Sequence, residues 1–91
     1  MRTVEMLERL KELAENAGYT VRHEWLGGVG GGACEFAGRK WIFIDLSLPV
    51  VEQLDQIALA LQDDPAATVL ARADSELRQA ALAKAASSVS A

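Results

Sequence analysis

Apolar positions open the chain at helical spacing. Met6, Leu10, Leu13 and Ala17 follow one another at steps of four, three and four, while Glu5, Glu8, Arg9, Lys11, Glu12 and Glu15 fall on the rest of the turn. The pattern predicts an amphipathic helix over 4–17, with Thr3 as N-cap and Gly18 as the stop just past its end. The period then shortens to two. Tyr19-Thr20-Val21-Arg22-His23-Glu24-Trp25 alternates apolar or aromatic residues with polar ones, which predicts a strand. Gly27-Gly28-Val29-Gly30-Gly31-Gly32 carries too much backbone entropy for a regular element and reads as a loop.

Two further strands are predicted at 33–37 and 41–46, joined through Gly38-Arg39 as a type II′ turn. That turn would set Phe36 opposite Trp41 and Cys34 opposite Phe43, so Cys34, Phe36, Trp41 and Phe43 share one face. An antiparallel meander is expected, with Arg22 opposite Glu35 and with Val21, His23 and Trp25 joining that aromatic face as core. Ser47-Leu48-Pro49 opens a second helix running to about Gln62, its stripe being Val50, Leu54, Ile57 and Leu61. Asp64-Pro65 reads as N-cap and first turn of an alanine-rich third helix over 66–86, supported by Arg72–Glu76 and Asp74–Arg78 pairs. The expected fold is α+β in the order αβββαα: one domain over 1–86 and a frayed tail over 87–91.

Composition narrows the classes of function. The chain has 91 residues, 51% hydrophobic and 24% charged, the balance of one globular domain rather than a disordered chain. A net charge of −4 argues against nucleic acid, whose binding draws on clustered Lys and Arg; the one basic pair, Arg39-Lys40, sits beside the predicted turn. No apolar run approaches the roughly 18 residues of a membrane span, so no membrane partner is expected. Cys34 is the sole cysteine, which excludes an intrachain disulfide and points to a reducing cytoplasm.

Candidate chemistry is sparse. Residues 28–33 formally fit a GxGxxA dinucleotide fingerprint, but the glycines precede a strand, so no helix N-terminus stands ready for phosphate. His23 and Cys34 fall on one face in the expected register, and with Gly30 and Tyr19 they form a candidate ligand or metal site under the glycine loop. Asp45 stands roughly 12 Å from His23 in that arrangement, too far for one metal to reach both. Packing among aromatic neighbours favours a structural Cys34 and a hydrogen-bonded His23. Glu52 with Asp55, and Asp63 with Asp64, read as solvated helix face and N-cap. The strand bearing Ile42, Ile44 and Leu46 is apolar on both faces and needs cover on both. The third helix, with Leu70 and Leu77, would either cover it or pack on a second subunit, making these five residues a candidate interface.

The stretch from Cys34 to Leu61 resembles the core of the ImmA/IrrE-like zinc metallopeptidases: a hairpin ending in Ile42-Phe43-Ile44-Asp45, a Leu46-Ser47-Leu48-Pro49 link, then a helix carrying Glu52-Gln53-Leu54 and Ile57-Ala58-Leu59-Ala60-Leu61. In that family the helix bears His-Glu-x-x-His, two histidines on zinc and the glutamate as general base. Here Leu59, Ala60 and Asp63 occupy the matching positions. The resemblance therefore implies a metal-free relic without peptidase activity or cofactor. The expected function is a non-catalytic protein-interaction or structural module that self-associates or binds another protein. The alternative is a ligand- or metal-binding domain built on His23, Cys34 and the glycine loop.

Overall fold

The computed structural model describes residues 2–74 and shows an α+β fold in the expected element order. It contains α1 (Thr3–Asn16), β1 (Tyr19–Glu24), β2 (Gly32–Phe36), β3 (Arg39–Asp45), α2 (Val50–Leu61) and α3 (Pro65–Ala73). Gly18 adopts φ 98° just beyond α1, where a β-carbon would be strained, and the chain turns there into β1. Arg2, not Thr3, is the N-cap of α1, and it makes no side-chain cap bond. Asp64 caps α3 as predicted: its Oδ1 accepts the Ala67 N–H at 3.0 Å, with Pro65 beginning the first turn. Asp74 closes α3 in an extended conformation (φ −90°, ψ 104°). The expected continuation to residue 86, the tail over 87–91, and the Glu76 and Arg78 partners lie outside the described residues.

The sheet is mixed, and the expected meander is overturned. Its strand order is β1-β3-β2: β1 runs parallel to β3 from Tyr19↔Lys40 to Glu24↔Asp45, and β2 runs antiparallel to β3. Arg22 therefore stands beside Phe43, not Glu35. Residues 25–31 separate β1 from β2, and such a loop readily crosses the roughly 10 Å of two strand spacings, leaving room for β3 between them. The Leu46 N–H extends the parallel ladder by donating to Glu24 O at 2.8 Å.

The β2–β3 turn also differs. Its central residues are Ala37 and Gly38, both at positive φ (53° and 76°), as in a type I′ turn whose twist matches the flanking strands. The register becomes Phe36↔Arg39, Cys34↔Trp41 and Gly32↔Phe43, two residues from the expected one. A shift of two preserves every face assignment, because side chains alternate with period two.

The buried face is the reverse of the expected one. Tyr19 and Val21 of β1 lie on the same side as Ile42 and Ile44 of β3, and this side meets the helices. Ile42, Ile44 and Ile57 are fully buried with Leu7, Leu13, Ala14, Leu61 and Ala67. The helices cover the isoleucines rather than the aromatics: Leu7, Leu13 and Ala14 of α1 and Ile57 and Leu61 of α2 share one buried cluster with Ile42 and Ile44.

Candidate functional site

With the helices gathered on one side, the other side of the sheet displays Thr20, Arg22 and Glu24 from β1, Arg39, Trp41 and Phe43 from β3, and Cys34 and Phe36 from β2. Trp41 and Phe43 are half-buried and stack along the central strand, ring centroids 6.1 Å apart and planes 13° from parallel. Phe36 on the edge strand is 72% exposed. The Trp41 Nε1–H is buried and has no hydrogen-bond partner among the described residues. Arg22 pairs with Glu24 at 3.1 Å, and both partners are largely solvated. Trp25, just past β1, is 75% exposed, and Val29 in the glycine loop is exposed as well.

At the end of β3 the glycine loop is clamped by Asp45. Its Oδ1 accepts the Leu26 N–H (3.0 Å), the Ser47 N–H (2.9 Å) and the Ser47 hydroxyl (2.5 Å); its Oδ2 accepts the Gly28 N–H (2.8 Å). Burial opposes the charge on Asp45, but the bonds from Ser47, Leu26 and Gly28 outweigh it and lower the pKa to about 2. The Asp45 N–H donates to Gln56 Oε1, tying the strand end to α2. Gly31 passes so close to the Phe43 carbonyl that a β-carbon there would collide with it. The loop is thus a pinned crossing over the end of β3.

A second polar cluster closes the opposite end. Asp64 Oδ2 accepts from the Tyr19 hydroxyl at 2.6 Å and from Lys40 Nζ at 3.4 Å, while Lys40 Nζ stands 5.1 Å above the centre of the Tyr19 ring. The Tyr19 bond, the Ala67 N–H and Lys40 hold the Asp64 pKa at about 2 against desolvation. The same bond to Asp64, with burial, pushes the Tyr19 phenol up to about 12.

His23 and Cys34 are not brought together. His23 stands beside Ile44 on the helix side, whereas Cys34 stands opposite Trp41 on the open side, with β3 between their strands. Cys34 is exposed, which corrects the expectation of a packed structural thiol. His23 is hydrogen-bonded, as expected, but at the surface: its Nε2 lies 3.1 Å from Lys11 Nζ. Desolvation and the Lys11 charge lower its pKa, with Glu8 opposing. Gly30 is an exposed loop residue at φ 113°, and Tyr19 is committed to Asp64. Among the described residues no group of three or more His, Cys, Asp or Glu is placed to hold a metal ion.

Of the candidate interface, Ile42 and Ile44 are buried within the chain beneath α1 and α2, Leu46 is half-buried, Leu70 packs from α3 against the core, and Leu77 lies outside the described residues. The Asp45 clamp and the Tyr19–Lys40–Asp64 cluster escaped the sequence reading. Asp64 was legible as a cap, but its partner lies 45 positions away with no local signal. No helix among the described residues is long and apolar enough to cross a membrane. Comparison with protein-family models, curated proteins and solved structures finds no match to the chain.

Proposed function

We propose that the protein is a non-catalytic interaction module that binds a protein partner across the open face of its sheet. The observation that carries this reading is Phe36, 72% exposed beside the Trp41–Phe43 stack on a face that no described helix covers. Exposed aromatic clusters of this kind are typical anchors of protein interfaces. Three strands give a face roughly 14 Å across, close to the roughly 10–12 Å diameter of one helix with its side chains. The partner that fits is an amphipathic helix, its apolar stripe on Trp41, Phe43 and Phe36 and its acidic flank toward Arg39.

The strongly held carboxylates support a structural rather than a catalytic role for themselves. Asp45 and Asp64 engage their oxygens with the chain's own N–H and O–H groups, which leaves neither poised as an acid or base. The same reading takes the ImmA/IrrE-like stretch as a metal-free relic, since α2 presents an exposed Leu59 followed by Ala60, and Asp63 follows the helix. An exposed lone thiol suits a reducing cytoplasm. A joint His23–Cys34 ligand site has no support in a sheet that separates them.

The test is binding of an apolar dye, anilinonaphthalene sulfonate, to the native protein, which reports accessible apolar surface. Saturable binding that is lost in Phe36→Ser, with the fold intact by circular dichroism, is the expected result. Absence of dye binding to the native chain overturns the reading.

A further inference from the structure

The strand order leaves β2 at an edge of the sheet. Among the described residues, no hydrogen bond involves the main chain of residues 32–36 beyond its ladder with β3. Edges are ordinarily blunted by lysine, proline, a bulge or a covering element. β2 has no proline or lysine, and its single charge is Glu35.

We infer that β2 pairs antiparallel with β2 of a second copy of this chain, about a two-fold axis at Cys34, to give one six-stranded sheet. The inference rests on the reading of the protein as an interaction module and names one partner for it. Three features of the strand select the copy and the register. Centring on Cys34 is the one symmetric alignment that uses all five residues of β2. It sets Glu35 opposite Ala33 of the second copy, whereas centring on Glu35 would oppose two like charges. It also sets Phe36 opposite Gly32 of the second copy, and Gly32 offers no side chain beside Phe43. The exposed Phe36 ring fills that gap, and symmetry repeats the fit at the other end of the strand. The open faces of the two copies then join into one continuous aromatic surface, still available to the helical partner.

Cys34 serves as a built-in ruler rather than as the source of the contact. Facing residues of an antiparallel pair lie roughly 4.5–5.5 Å apart at Cα, within the range that a disulfide bridges. Glutathione disulfide is the oxidant: two thiols lose two protons and two electrons to form the bridge, and the reagent leaves as two molecules of glutathione.

The experiment measures solution mass by sedimentation over a dilution series for the reduced chain, Cys34→Ser and Cys34→Lys. Crosslinking by glutathione disulfide is then compared between the native chain and Cys34→Ser/Glu35→Cys. The expected result is a dimer that Cys34→Ser retains and Cys34→Lys loses. The native chain should crosslink about tenfold or more faster than the residue-35 variant, whose thiols are too far apart in this register. A monomer at every concentration overturns the inference, including one whose β2 amides are exchange-protected by residues 75–91. A dimer in which residue 35 crosslinks faster overturns the register. Dye binding by the native chain, whose open face is accessible in monomer and dimer alike, keeps the outcome for the open face separate, because that reading stands if the dye binds and falls if it does not.

Discussion

The Tyr19 hydroxyl donates a 2.6 Å hydrogen bond to Oδ2 of Asp64, joining the first residue of β1 to the N-cap of α3 across 45 positions of sequence. The bond needs a protonated phenol and an ionised carboxylate, so stability should fail at both ends of the pH scale. The folded Asp64 pKa is about 2, below the unfolded value of roughly 4, so its contribution is complete above pH ~4 and is lost as pH falls toward 2. The folded Tyr19 pKa is about 12, above the unfolded value of roughly 10, so its contribution is complete below pH ~10 and is lost as pH rises toward 12. Urea midpoints measured across pH should fall at both limbs, and Tyr19→Phe should flatten the alkaline one. An unchanged alkaline limb in Tyr19→Phe would show that the bond does not persist in solution.

Asp45 also has its pKa lowered to about 2 and should add to the acid limb, with a local readout of its own. Asp45→Asn retains an acceptor but loses the charge that four donors share. Amide exchange at Leu26 and Gly28 should accelerate more than exchange in α1, because the loop loses its clamp while the core stays packed. Equal acceleration everywhere would mean that Asp45 supports the whole fold.

The reversed face assignment can be checked by two substitutions. Ile44→Ala, in the fully buried layer, should cost about 2–5 kcal/mol of unfolding free energy, whereas Phe36→Ser on the open face should change it by about 0.5 kcal/mol or less. Denaturant titration of both variants decides the matter. A larger loss for Phe36→Ser would restore the aromatic face as core.

Ala37 holds φ 53°, the one non-glycine residue of positive φ among the described residues. Asparagine tolerates this conformation far better than alanine, and Asn-Gly is the favoured type I′ pair. Ala37→Asn should therefore raise stability by about 0.5–1 kcal/mol. A thermal melt that shows a loss instead would place the turn elsewhere.

Local signals were legible in the sequence. The apolar steps of α1, the Asp64-Pro65 start of α3 and the period-two runs of the strands each depend on neighbours a few residues away, and the element order followed from them. The side chains sharing a face with Cys34 on β2 and β3 were also legible, because face parity survives a register shift of two. What could not be read was long-range. Nothing in residues 25–31 states that the loop crosses β3 instead of folding back on β1, since the clamp comes from Asp45. Nor does hydrophobicity alone choose between a face of isoleucines and one of aromatics on the same strand. The His23–Cys34 pairing failed for the first of these reasons: it assumed that strands adjacent in sequence are adjacent in space.

The insertion of β3 between β1 and β2 also constrains the order of assembly. β1 and β2 share no edge, and among the described residues each finds its only hydrogen-bonding neighbour in β3. The β2–β3 hairpin, closed by a two-residue turn, can form locally, whereas β1 must wait for residues 40–45 before it has anything to pair with. During synthesis, α1 and β1 leave the ribosome ahead of the strand that β1 pairs with, and the sheet can close only once the β2–β3 hairpin of residues 32–45 has followed them.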